Sequence, residues 1–224
     1  MPGNIHEHLQ SLGRDEITSL SKTCMFVALR DSSPSSDYMR VRKAWNKDAM
    51  GWPALIAQPR SPEDVAALIK FAKNQKRHVC VKTFGGHSNH ALVDDAICID
   101  LSLLRKTEMN LEAQPPTIEV GGGCVIGDVD KCSKPHGLAL PMGHVYHTGV
   151  AGMALNATSG VGYLTRTRGL CVEYLREVTI VLQSGEILDV SAESHPELFW
   201  GICGAASNFG VVTRMVNLIN IVLQ

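Results

Sequence analysis

The chain is predicted to fold as an α+β protein in two lobes, and three observations carry that expectation. Apolar runs of strand length are joined in some places by tight turns and in others by helical segments, so hairpins and crossovers are mixed. Two glycine-rich tracts lie far apart, one around residues 85–86 and a longer one within 140–162. The division between lobes falls near residues 105–115, giving a first lobe of about 48–108 and a second of about 112–217, preceded by an N-terminal extension of residues 1–36.

The elements follow in order. Residues 1 to about 40 read as irregular and only weakly helical, with a loop at Asp31-Ser32-Ser33-Pro34-Ser35-Ser36. A helix-like or extended piece leads to Trp45, and Pro53 to Pro59 brackets a short apolar strand. Ser61-Pro62-Glu63-Asp64 opens a helix with an N-cap serine, proline at the first helical position and acids in the first turn. That helix runs to about Lys76 with Val65, Leu68, Ile69 and Ala72 on one face. Strands are expected at Val79–Val81, from Ala96 to Leu101 and at Thr117–Val120, the last running into Gly121-Gly122-Gly123. Val125 to about His136 reads as a helix closed by Gly137. Residues 140–162 read as loop with a short helical turn. Val178–Leu182 and Ile187–Val190 form a hairpin about Gln183-Ser184-Gly185-Glu186. A short helix over 196–202 and a strand over 211–216 finish the pattern.

Composition narrows the function classes. The 224 residues suffice for one large domain or two small lobes with cores of their own. A net charge of -1 removes the electrostatic argument for nucleic acid or an anionic membrane surface. Aromatic residues at 5% argue against a stacking platform for single strands. No apolar stretch reaches the roughly 20 residues that span a bilayer. Residues 1–13 are polar, so no secretory leader and a cytoplasmic location are expected. The seven cysteines are dispersed without a C-x-x-C and mostly lie in apolar runs, which suits buried, reduced thiols. Metal binding is not expected: His144 and His147 lack a third ligand at suitable spacing. Neither G-x-G-x-x-G after a strand nor G-x-S-x-G is present, which removes a nicotinamide site and a serine nucleophile elbow.

The most informative run is Val81-Lys82-Thr83-Phe84-Gly85-Gly86-His87-Ser88. Two glycines let backbone come close to a bulky ligand, and successive N–H groups in such a turn can converge on a pyrophosphate. His87 then places an imidazole nucleophile beside whatever the turn cradles.

Further pieces follow it in a recognisable order: Ile99-Asp100-Leu101-Ser102, Gly121-Gly122-Gly123, His136-Gly137-Leu138-Ala139, His147-Thr148-Gly149-Val150-Ala151-Gly152, Gly160-Val161-Gly162-Tyr163-Leu164, Glu197-Leu198-Phe199-Trp200-Gly201 and Asn208-Phe209-Gly210-Val211-Val212-Thr213. Together they resemble the FAD-binding domain of the vanillyl alcohol oxidase and p-cresol methylhydroxylase (PCMH-type) superfamily, and within it the berberine bridge enzyme-like oxidases. The resemblance covers residues 37–217 and implies that FAD lies between the two lobes. It implies cofactor contacts from Phe84, Gly85, Gly86, His87, Ser88, Thr148, Gly149, Val150, Gly152, Gly160, Gly162, Gly210 and Val211, with His87 joined to the 8α-carbon of the isoalloxazine. The cysteine that gives bicovalent relatives a second link is matched here by Val145, so one covalent link at most is implied.

The chain departs from the family pattern in two glycine tracts. Three glycines before Gly160 are replaced by Asn156-Ala157-Thr158-Ser159, and an Arg-Gly-Gly-Gly-Gly run by Cys203-Gly204-Ala205-Ala206-Ser207. The substrate domain that follows in the family, with its catalytic base, is expected to be absent, so no catalytic residue is assigned. The resemblance implies hydride transfer from a small organic substrate to FAD, with reoxidation by oxygen. The alternative expectation is a truncated or split flavin-binding module with no turnover of its own, served by a separate substrate-domain partner; a degenerate fold without flavin is the third.

Overall fold

The apolar runs assemble into two main sheets, with one well-capped helix shared between them. The computed structural model describes residues 26–30, 36–83, 90–156 and 160–221, together with Ile17, Leu20 and Lys22.

In the first sheet the elements run β1 (Phe26–Leu29), α1 (Ser36–Val41), β2 (Leu55–Gln58), α2 (Pro62–Asn74), β3 (Val79–Lys82) and β4 (Ile97–Asp100). The strand order is β1-β2-β4-β3, with β4 parallel to both neighbours and β1 antiparallel to β2. All four residues of β4 are buried, which explains why Ile97-Cys98-Ile99 is a continuous apolar run rather than an alternating one. β1 lies within the segment expected to precede the lobes and supplies the antiparallel edge of this sheet. Its four residues are too few for an alternating pattern to stand out.

The helix α2 begins as its sequence predicts. Ser61 accepts a hydrogen bond from the Asp64 N–H (3.2 Å) and Pro62 takes the first helical position. Its apolar face is wide: Val65, Ala66, Leu68, Ile69, Phe71 and Ala72 are all buried. The face packs in one core with Leu55, Ile97, Ile99 and Leu101 from the first lobe and Val181 and Val211 from the second. α2 therefore joins the lobes by hydrophobic burial.

The second lobe runs β5 (Thr107–Asn110), β6 (Thr117–Gly121), α3 (Ile126–Ser133), β7 (Leu138–Ala139), α4 (Val150–Ala154), α5 (Thr165–Arg168), β8 (Leu175–Leu182), β9 (Ile187–Ser191), α6 (Pro196–Ala205), β10 (Gly210–Leu218) and β11 (Asn220–Ile221). Five of its strands form an antiparallel sheet in the order β5-β6-β10-β8-β9, and β7 pairs with β11 in a small ribbon. The predicted hairpin is β8–β9, turning at Gly185 with φ of 82°. α3 ends in a one-turn 3-10 segment, Lys134–His136, and Gly137 caps it at φ of 66°, the left-handed conformation that favours glycine. Ile118, Val120, Val178, Ile180 and Met215 from the sheet pack against Val129, Val150 and Leu155 to form this lobe's core.

Leu68 is fully buried at the centre of the shared core. Leu68→Ala is expected to destabilise the chain by about 2–5 kcal/mol, seen as a lower denaturant midpoint with an unchanged slope.

Candidate cofactor-binding site

Three parallel strands of the first sheet end side by side, and their last residues form a buried polar cluster. Lys82 closes β3 and Asp100 closes β4; their side chains pair at 3.1 Å, 6% and 2% exposed. Gln58, at the end of β2, donates from Nε2 to Asp100 Oδ2 (3.1 Å) and to Ser102 Oγ (2.9 Å). The Ser102 N–H donates to Asp100 Oδ1 (3.1 Å). Asp100 thus accepts three hydrogen bonds, the condition under which a buried carboxylate is tolerated. The carboxyl ends of parallel strands are also where α/β sheets commonly place ligands.

Thr83 follows β3 at this cluster and precedes the glycine-histidine run in sequence. Phe84, Gly85, Gly86, His87 and Ser88 lie outside the described residues.

From the second lobe, residues 146–150 are laced along 124–127. Ile126 N–H donates to Thr148 O (3.0 Å), Gly127 N–H to Tyr146 O (2.9 Å) and Val150 N–H to Cys124 O (2.9 Å). This brings Gly149 against Thr83: a Cβ on Gly149 would overlap the Thr83 hydroxyl. Thr83 and Gly149 are one place where the two lobes touch. Val150 is fully buried and roots α4 in the core. Gly152 is on the exposed side of α4, and no atom of the described residues would meet a Cβ there within 4 Å.

Met153 ties α4 to the next glycine segment. The Gly143 N–H donates to Met153 Sδ (3.2 Å), and Met153 Cε would lie 3.5 Å from a Cβ on Gly160. Gly160 adopts φ of 78° directly over Cys171, whose thiol pKa burial pushes up to about 12. A Cβ on Gly162 would collide with the Met142 carbonyl oxygen.

Thr148, Gly149, Val150, Gly152, Gly160 and Gly162 therefore gather around α4, and Gly149 reaches the first lobe. Gly210 and Val211 sit apart, on β10. Gly210 lies close over the Val181 carbonyl of β8, and Val211 is 6% exposed in the core shared with α2, a packing position for its side chain.

Sequence reasoning did not single out the Lys82–Asp100–Gln58 cluster or Thr83. The available signal was a lysine inside a buried apolar strand and an aspartate closing another. It also missed an exposed aromatic face on this side of the second lobe: Tyr163 is 85% and Tyr146 65% exposed, and the His144 and Tyr163 rings lie 5.3 Å apart. Among the described residues, no group of three His, Cys, Asp or Glu side chains could hold a metal ion.

Removing one partner of the buried pair leaves an uncompensated charge, so Asp100→Ala is expected to cost about 3–5 kcal/mol in chemical denaturation. The double replacement Lys82→Met with Asp100→Leu is expected to cost clearly less than Asp100→Ala alone.

The FAD binding domain family matches residues 53–191. An FAD-linked oxidoreductase of Dictyostelium discoideum is 35% identical over 180 residues, which cover 80% of this chain and 39% of that protein. (R)-6-hydroxynicotine oxidase of Paenarthrobacter nicotinovorans is 33% identical over 182 residues, again 80% of this chain and 39% of that protein. The crystal structure of 6-hydroxy-D-nicotine oxidase from Arthrobacter nicotinovorans superposes with a TM-score of 0.82 at 31% identity, over 88% of this chain and 42% of that one. A berberine bridge enzyme-like protein of Physcomitrella patens shares the fold, with a TM-score of 0.84 at 24% identity over 93% of this chain and 45% of that one. The chain spans about two fifths of the length of these relatives. No helix among the described residues is long and apolar enough to cross a membrane. The chain is a PCMH-type FAD-binding domain of the FAD-linked oxidoreductase family.

Proposed function

We propose that this domain serves a flavin oxidase of small organic substrates, with FAD lying between the lobes and anchored through His87. The contact of Gly149 with Thr83 carries this reading, because it brings the segment 148–152, with its two glycines, to the strand end that precedes the glycine-histidine run.

The described residues fit a dinucleotide. The cradle is backbone rather than side chain: Gly149 gives close approach and Gly152 leaves an uncovered surface. The first turn of α4 leaves N–H groups without intrahelical acceptors, as every helix start does. A Gly costs about 1 kcal/mol relative to Ala inside a helix, so a glycine at an uncrowded helical position calls for a reason outside the helix. Approach of a ligand supplies it at Gly152.

The roles divide by lobe. Thr83 and the Lys82–Asp100 pair hold the strand end from which Phe84 to Ser88 would reach the pyrophosphate. Thr148, Gly149, Val150 and Gly152 would run along the cofactor, with Gly160 and Gly162 holding the adjacent loop closed. FAD supplies the acceptance of a hydride from substrate and its passage to oxygen. The protein's part is to bind it, orient it and shield it. The bulk of the substrate surface belongs to a further domain, in the same chain or a partner, and the exposed face of Tyr146, Val161 and Tyr163 is where it would seat.

The anchor is tested by acid precipitation of the flavin-loaded protein. Yellow colour is expected in the pellet and is expected to move to the supernatant in His87→Ala; a colourless protein after incubation with FAD would overturn the reading. Gly152→Ala is expected to raise the melting temperature of the flavin-free chain by a few degrees while weakening FAD uptake at least tenfold. Undiminished uptake would show that Gly152 faces no cofactor.

A further inference from the structure

The segments that follow α4 and α6 meet each other: Asn156 lies just beyond α4 and Ser207 just beyond α6. Ser207 Oγ donates to Asn156 Oδ1 at 2.9 Å, and the Ser207 N–H points at the same oxygen at 3.4 Å. The other end of the Asn156 amide is engaged as well: Nδ2 donates to the carbonyl oxygen of Gly152 at 3.0 Å. Beside them the Ala206 N–H donates to Leu155 O at 3.2 Å.

We propose that Asn156 and Ser207 form a clasp that positions α4 for FAD. Asn156 is a positioning residue in this account, since it acts through α4. The inference rests on the flavin reading of α4 given above. Five residues of helix are far too few to be stable alone, because the cost of nucleation is spread over too few hydrogen bonds. α4 is therefore held by what touches it. Val150 fixes its start through Cys124, and Met153 fixes its middle through Gly143. The clasp reaches back from beyond its end to the carbonyl of Gly152, the residue whose exposed side faces the cofactor region. The amide of Asn156 reads as a two-sided connector: its N–H group caps a helix carbonyl and its oxygen takes the hydroxyl of the facing segment.

The experiment uses the full chain in a His87→Ala background, where FAD binds reversibly. Two quantities are read: amide exchange of Met153 to Leu155 in the flavin-free protein, and the dissociation constant for FAD from flavin fluorescence. Asn156→Ala is expected to speed exchange in α4, leave exchange in β8 and β10 unchanged, and weaken FAD roughly three- to tenfold. Ser207→Ala, an exposed and conservative change, is expected to act in the same direction, and the double variant to be no weaker than Asn156→Ala, since the bond that Ser207 makes is already lost with Asn156. Asn156→Asp keeps the acceptor for Ser207 and loses the donor to Gly152; it is expected to bind FAD more weakly than its parent and more tightly than Asn156→Ala. Unchanged exchange in α4, unchanged FAD affinity, or an Asn156→Asp variant that binds like its parent would each overturn the clasp. A parent chain that takes up no FAD overturns the flavin reading itself, and that result is read before any Asn156 variant is made.

Discussion

The strand ends beside Thr83 are held by one buried ion pair. Asp100 ends β4, and its carboxylate is shared among Lys82 of β3, Gln58 of β2 and the Ser102 N–H. The same aspartate caps the short 3-10 turn Leu101–Leu103, from which the chain passes toward the second lobe. Immediately beyond, the Gly123 N–H donates to Leu104 O (2.8 Å) and the Gly121 N–H to Lys106 O (2.9 Å). One carboxylate thus fixes the spacing of three strand ends, the departure of the glycine-histidine segment and the start of the link between lobes. Desolvating two charges is costly, and well-packed apolar residues of the same volume would be at least as stable. Stability alone does not account for the pair. What it supplies is direction: a carboxylate with three partners accepts only one arrangement of the strand ends, whereas an apolar plug would tolerate several.

The hydrophobic counterpart is α2. A helix with a narrow apolar stripe can serve one sheet. α2 buries six residues, and its core includes Val181 and Val211 of the second sheet as well as Ile97 and Ile99 of the first. The lobes are therefore coupled in two chemically different ways, by dispersion and burial along α2 and by close backbone contact where Gly149 meets Thr83. The first sets how far apart the lobes sit; the second sets what can pass between them.

Much of this was legible in the sequence, because the signals were local. Ser61-Pro62-Glu63-Asp64 announced α2, Gly185 announced the β8–β9 turn, and Gly137 marked the end of the segment that follows α3. β1 and β5 were not read as strands. Both are four-residue edge strands, and β5 alternates between half-buried and exposed positions that its polar residues, Thr107, Glu108 and Asn110, do not advertise. β1 takes its strand character from β2, which lies beyond α1, and β5 from the neighbouring β6, not from their own pattern. The buried Lys82–Asp100 pair was invisible for a similar reason: two charged residues closing apolar runs look like strand ends until register brings them together. The Asn156–Ser207 bond spans 51 positions, and no pattern within either tract points to the other.

The glycines show why a shared motif does not by itself assign a ligand contact. A Cβ on Gly122, Gly123, Gly162 or Gly210 would strike the carbonyl oxygen of another segment, so those glycines are required by the protein's own backbone. Gly137, Gly160 and Gly185 are required by positive φ. Each of these would be kept in a fold that bound nothing. Gly152 belongs to neither group: it has helical geometry, an exposed position and no neighbour among the described residues. Helix propensity favours alanine there, and no packing among the described residues opposes it. A residue that breaks a local rule without a structural return is where function is expected to be found. By that criterion the proposed flavin contact rests less on the conspicuous glycine runs than on the single glycine of α4 that no described neighbour requires.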